Sequence, residues 1–219
     1  MQLVDRIEKR RFVGREFLLW LWFESELFDA TLSTQQHGSF GLWLEKRLTL
    51  SADKQSTRIT APSPGLGREA KEALLAGQLP ESAGLRITWR DDETGFAFKA
   101  EQLAIAGLKL HTVVDQAPVD RDDLVEQLKG KRVGRVAQKS KPDEDDSSYE
   151  EFYERMQLTQ EFESLLEALY GEFLALRLSE LWVREVVPRL RAWARGEPVD
   201  ADAYAALKKR GAKQVAKTG

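Results

Sequence analysis

The stretch FVGREFLLWLWFESE, residues 12–26, sets Phe17, Leu18, Leu19, Trp20, Leu21, Trp22 and Phe23 in one unbroken apolar block. Crossing a bilayer takes roughly 20 apolar residues, and charge flanks this block closely, so it is too short to span one. A helix that is apolar around nearly its whole circumference has to be enclosed by other elements. The block therefore reads as the central core helix of a globular domain; the competing reading brings Trp20 or Trp22 to a binding surface. Gly14 breaks the pattern before the block, and Glu24, Ser25 and Glu26 return the chain to water after it.

Helical character is expected from the start of the chain to Leu32. From Phe40 the period changes. FGLWLEKRLTL, residues 40–50, places Leu42, Leu44, Leu48 and Leu50 on alternate positions, and TRIT, residues 57–60, adds a second β-prone run, so paired strands are expected. APSPGLG, residues 61–67, is turn chemistry. REAKEALLAGQL, residues 68–79, then spaces Ala70, Ala73, Leu74 and Leu75 as a short amphipathic helix, with Gly77 suited to a left-handed cap. Leu85, Ile87 and Trp89 alternate with polar residues before an acidic turn ending at Gly95, and Phe96 and Phe98 resume the alternation. That is the pattern of a hairpin with one buried face, and Leu103, Ile105 and Leu108 supply a further edge.

Residues 129–148 carry Val133 and Val136 as their only sizeable aliphatic side chains. A segment burying so little does not offset an ordering cost of about 1–2 kcal/mol per residue, so a flexible mixed-charge linker is expected. Beyond it, Phe152, Met156, Phe162, Leu165, Leu166, Leu169, Phe173 and Leu176 recur three and four apart. Trp182, Val183, Val186, Val187 and Leu190 begin a second stripe bent at Pro188, divided from the first at Gly171 or near Arg177–Ser179, which suggests an antiparallel helical pair. The expected class is α+β: a small antiparallel sheet packed with helices over 1–128, a linker over 129–148, and a helical region with a basic, solvated tail over 149–219.

Composition narrows the function classes. The chain has 219 residues, 42% of them hydrophobic, enough for a sizeable core, and a formal charge of −3 that argues against a surface coated in positive charge. The absence of cysteine excludes disulfides, thiolate metal sites and cysteine nucleophiles, and suits a reducing compartment. No secretory signal or membrane span is recognisable, so a cytoplasmic location is expected. His37 and His111 lack partners at metal-ligand spacing and are read as structural. Gly65 and Gly67 lack the lysine and hydroxyl of a phosphate loop, and Asp91, Asp92 and Glu93 suit a solvated turn better than a cation site. No catalytic residue, metal site or cofactor is expected, and the chain is not read as an enzyme.

The succession EAKEALLAGQLPESAGLRITWRDDETGFAFKAEQLAIAGLKL, residues 69–110, resembles the C-terminal half of the recombination-associated protein RdgC family. Its order is a short helix ending at a glycine, a strand with a tryptophan, a hairpin to an aromatic strand, and a Leu-Lys-Leu ending. The resemblance extends upstream through GREFLLWLW and FGLWLEKRLTL and downstream to YEEFYERMQLTQEFESLL, covering residues 12–178. Its motifs are core positions rather than reactive groups. RdgC proteins are non-enzymatic DNA-binding proteins that form ring-shaped dimers around duplex DNA and restrain the RecA recombinase. The resemblance implies a sequence-nonspecific DNA-binding protein that modulates recombination, associated with the nucleoid, with a homodimer and a recombination-protein partner.

A DNA role needs cations gathered on one face to displace phosphate counterions. The candidates are Arg10, Arg11 and Arg15 near the start, Lys131, Arg132, Arg135 and Lys139 in the linker, and Lys208, Lys209 and Arg210 in the tail. None forms a base-reading motif. The alternative is a protein-interaction adaptor acting through exposed apolar residues of the C-terminal helices, such as Trp182 or Trp193.

Overall fold

The computed structural model describes residues 3–53, 55–90, 92–109 and 146–218. The apolar block lies in helix α1, Leu3–Leu27. Phe17, Leu18, Trp20, Leu21, Trp22 and Phe23 are each at most 1% exposed, which makes α1 the core helix that the sequence predicts. Burying side chains of this size contributes about 1.5–3 kcal/mol each. Gly14 lies within α1, where a Cβ would collide with the Ala100 carbonyl oxygen, so the close approach requires glycine. One expectation changes here. Glu24 and Ser25 do not return to water, being 0% and 7% exposed: Glu24 accepts from Tyr204 and Lys208, and the Ser25 hydroxyl donates to the Trp22 carbonyl oxygen at 2.9 Å.

The helix also ends earlier than expected. Asp29 and Ala30 take left-handed φ values of 49° and 60°, and Ala30 N–H donates to Ser25 O at 2.6 Å. The chain thereby reverses into strand β1, Thr31–Thr34, whose Leu32 is 3% exposed. Strand β2, Gly38–Ala52, and strand β3, Gln55–Ala61, form the first expected strand pair. Helix α2, Arg68–Leu75, follows, and Gly77 closes it at φ 88° with Gly77 N–H donating to Leu74 O and Gln78 N–H to Ala73 O. This is the glycine C-terminal cap that the spacing predicts.

Strand β4, Leu79–Trp89, and strand β5, Asp92–Lys99, make the expected hairpin. Its turn is carried by Arg90 at φ 53°, so Gly95 sits inside β5 opposite Arg86 rather than ending the turn. Strand β6, Ala104–Lys109, adds the edge. The described sheet has six strands paired antiparallel: β1 and β3 both lie along β2, followed by β4, β5 and β6. Leu42, Leu44, Leu48 and Leu50 of β2, Leu85 and Ile87 of β4, and Phe96 and Phe98 of β5 are buried on the face that packs on α1.

Helix α3, Asp146–Arg177, runs straight through Gly171 and ends at the Leu178–Ser179 break, the second of the two division points read from the sequence. A π-helical turn at Trp182–Val186 leads into helix α4, Val187–Ala194. Pro188 directly follows the π-helical turn, within helical backbone that is continuous over residues 180–194, so its missing N–H and its ring disturb regular helical bonding beside the widened turn. Helix α5, Ala201–Thr218, starts with Asp200 Oδ1 accepting from Ala203 N–H at 3.0 Å. Tyr204 and Leu207 are fully buried, so this part of the expected solvated tail is a docked helix.

Residues 1–109 and 163–219 form one compact unit, and residues 110–162 another. Within the first, α1 meets the sheet through Phe17 and Phe98, with ring centroids 5.8 Å apart. It meets α3 through Phe17 and Phe173 at 5.4 Å, α4 through Phe23 and Trp193 at 5.5 Å, and α5 through Phe23 and Tyr204 at 5.1 Å. The second unit is described only for the first part of α3, where Gln157 donates to Glu161 one turn on. The expected linker over 129–148 falls mostly outside the described residues. Among the described residues no helix is long and apolar enough to cross a membrane.

Candidate functional site

Glu24 and Glu26 leave α1 on opposite sides, since two helical residues are about 200° apart. Glu24 Oε1 accepts from the Tyr204 hydroxyl at 3.0 Å and Oε2 from Lys208 Nζ at 2.7 Å, while Trp20 Nε1–H donates to the Tyr204 oxygen at 2.9 Å. Lys208 also lies 3.5 Å from Glu172. Burial pushes the Glu24 carboxyl above its ordinary range, with Lys208 and Tyr204 opposing, and burial raises Glu172 as well. Tyr204 is pushed well above an ordinary phenol, first by burial and then by the Glu24 charge. Glu26 serves a second cluster. It accepts from Trp22 Nε1–H, from Trp193 Nε1–H at 2.8 Å and from Lys71 Nζ at 2.7 Å. Lys71 Nζ lies 3.1 Å from the Trp193 ring centroid and 5.0 Å from that of Trp22, and burial lowers its pKa to about 8 against the pull of Glu26.

These clusters fix where the sequence-predicted cations go. Lys208 turns inward to Glu24. Arg15 Nη2 bonds Glu101 at 2.6 Å and Nη1 bonds the Ser51 carbonyl at 3.4 Å, so its charge is also matched inside the fold. Lys209 and Arg210 are exposed on α5. Arg10 and Arg11 lie on α1 with their side chains outside the described residues, as do Lys131, Arg132, Arg135 and Lys139 altogether. The described structure therefore brings no group of these ten together beyond the neighbouring Lys209 and Arg210.

A different set of cations gathers on the outer face of the sheet. Because Leu48, Leu50, Ile59, Ala83 and Phe98 point to the core, alternation turns Arg47, Thr49, Arg58, Ser82 and Lys99 outward. The registers join Arg58 to Thr49, Thr49 to Ser82 and Ser82 to Lys99, a single row across β3, β2, β4 and β5. Three strand spacings make this row about 14 Å long. Arg47, Arg58 and Lys99 are exposed, and none of them forms an ion pair among the described residues. The other half of the same face is internally neutralised. Arg86 lies 3.5 Å from Glu45 and 3.3 Å from Glu93, Lys46 lies 3.0 Å from Glu45, and the Arg86 guanidinium stands 4.9 Å from the Trp43 ring centroid.

His37 bridges the β1–β2 turn to α3. Its Nε2 lies 3.2 Å from Ser164 Oγ and its Nδ1 3.4 Å from Thr34 Oγ1. A hydroxyl behind the imidazole does not stabilise an imidazolium as a carboxylate would, so the arrangement suits a structural bridge better than an activated serine. His111 and Asp91 lie outside the described residues. Among the described residues no three His, Asp or Glu side chains cluster as a metal site. No protein-family model matches the chain, and no curated protein matches it.

Proposed function

We propose that the protein binds nucleic acid through the phosphate backbone without reading sequence, as a DNA-binding protein that modulates recombination. The observation that carries this reading is the outer-face row of Arg58, Thr49, Ser82 and Lys99 with Arg47 beside it. It combines exposed charges that no carboxylate among the described residues neutralises with hydroxyls able to donate to phosphate oxygens. Lys209 and Arg210 on α5 are a second, smaller pair of exposed cations. The resemblance in element order to the RdgC family supports the recombination context.

The test is binding of labelled duplex DNA across a salt series, comparing the full chain with an Arg47→Ala/Arg58→Ala/Lys99→Ala variant. Each cation that no longer neutralises a phosphate lowers the slope of log affinity against log salt by about 0.9, so the variant is expected to lose about 2–3 from the slope. Wild-type protein that fails to bind at about 50 mM salt overturns the reading. A second reading, an adaptor that docks a protein partner or a second copy, is favoured by Leu178 and Val183, 80% and 70% exposed beside the α3–α4 break. The residues expected to carry it, Trp182 and Trp193, are only 4% and 8% exposed and pack inside. Salt-tolerant association abolished by Leu178→Ser/Val183→Ser would support it.

A further inference from the structure

We infer that the outer sheet face is built for single strands, with one unpaired base stacking on the Trp43–Arg86 pair while the phosphates lie against Arg47, Arg58 and Lys99. This rests on the nucleic-acid reading above and names its substrate. Trp43 points away from the core, between the buried Leu42 and Leu44, and is half-buried. Its indole lies down along β2 rather than standing up. A Cβ on Gly41, two residues back on the same face, would overlap the ring, so glycine is what lets the ring lie there. Arg86, the direct cross-strand partner of Trp43, holds its guanidinium 4.9 Å from the ring centroid. Glu45 lies 3.5 Å from the Arg86 Nε and Glu93 3.3 Å from its Nη1. Indole and guanidinium are both planar π-systems on which an unpaired base can stack.

Charge gives this face a direction. The paired charges at the Trp43 end offer phosphate no net attraction, and the exposed cations Arg47, Arg58 and Lys99 attract it at the other. Along β4 the two ends, Arg86 and Ser82, are four residues apart, about 13 Å. A duplex keeps its base faces stacked inside and offers the indole nothing, whereas a single strand can splay a base onto an aromatic ring. The cation row is thus shared by both forms of DNA, and the stacking pair serves only one.

The experiment measures binding of the full chain to a thymidine 20-mer and to a 20-base-pair duplex over the same salt series, with far-UV circular dichroism confirming each variant's fold. Trp43→Leu is expected to weaken single-strand binding by about 5- to 150-fold at an unchanged salt slope while leaving duplex binding as it was. Trp43→Phe restores most of the affinity, and Arg86→Ala, which leaves Trp43 in place, repeats part of the weakening. Equal single-strand affinities for Trp43→Leu and wild type overturn the inference, as does an equal loss on both DNAs. In either case a salt slope still lowered by Arg47→Ala/Arg58→Ala/Lys99→Ala leaves the backbone-binding reading standing. Indifference of both DNAs to that triple variant removes the reading and the inference with it.

Discussion

Glu24 and Glu26 stand two residues apart on one helix, each takes a lysine at 2.7 Å, and yet they are opposite solutions to holding a carboxylate near a core. Glu24 is fully buried, and its partners Tyr204 and Lys208 come from a single helix, α5. The Glu26 side chain keeps 19% of its surface and gathers partners from α1, α2 and α4. On the Glu24 side burial strains the acid, whose pKa rises. On the Glu26 side it strains the base, since Lys71 falls to about 8.

The comparison breaks most sharply at Glu24→Ala. This change leaves the Tyr204 hydroxyl without its acceptor and Lys208 with Glu172 alone, 3.5 Å away, and it is expected to lower unfolding free energy by about 3 kcal/mol in urea titrations. A decrease below about 1 kcal/mol would mean that water already reaches the pair. Tyr204→Phe leaves Trp20 Nε1–H without its acceptor and Glu24 with Lys208 as its remaining donor, and should cost about 1–3 kcal/mol. Glu26→Ala should cost less than Glu24→Ala, about 1–2 kcal/mol, because the Glu26 side chain keeps 19% of its surface and water can take its place beside its donors, whereas Glu24 is fully buried; an equal cost for both would erase the distinction.

Titration sharpens it further, with the sign differing on each side. Lys71 has a folded pKa of about 8 against an ordinary value of 10.5, so between these values the unfolded chain holds more protons. Stability from this group therefore rises with pH over that window, and the rise should vanish in Lys71→Met. The raised pKa of Glu24 works in reverse: the folded state holds the extra proton, so its contribution falls as pH rises from the ordinary value of 4.5 through the raised one. Denaturant midpoints at closely spaced pH values in Glu24→Gln would show that decline flattened. The smallest effect belongs to the surface, where Val183→Ser should shift stability by no more than about 0.5 kcal/mol.

What was legible in the sequence follows from period. Phe17 to Phe23 announced a buried helix, and alternation at Leu42, Leu44, Leu85, Ile87, Phe96 and Phe98 announced the sheet and its inner face. The same alternation implied the outer positions of Arg47, Arg58 and Lys99, but only the cross-strand register aligns Arg58 with Lys99, and register between strands distant in sequence is not written in either one. The destination of Lys208 was hidden for a related reason. Its charge looked like one more basic residue in a tail, because the acid that claims it lies 184 residues earlier. Glu24 in turn read as the polar end of an apolar block, since nothing local signals a tyrosine and a lysine arriving from α5.

That separation sets a schedule for synthesis. At about 5–20 residues per second, roughly 10–40 s elapse between the emergence of Trp20 and that of Tyr204 and Lys208, which complete its surroundings. Throughout that interval the nascent chain carries its most apolar segment without its final cover. A chaperone that captures such segments on the ribosome would find a client in residues 17–23, to be displaced stepwise as the sheet, α3 and α4 cover them and α5 completes the enclosure.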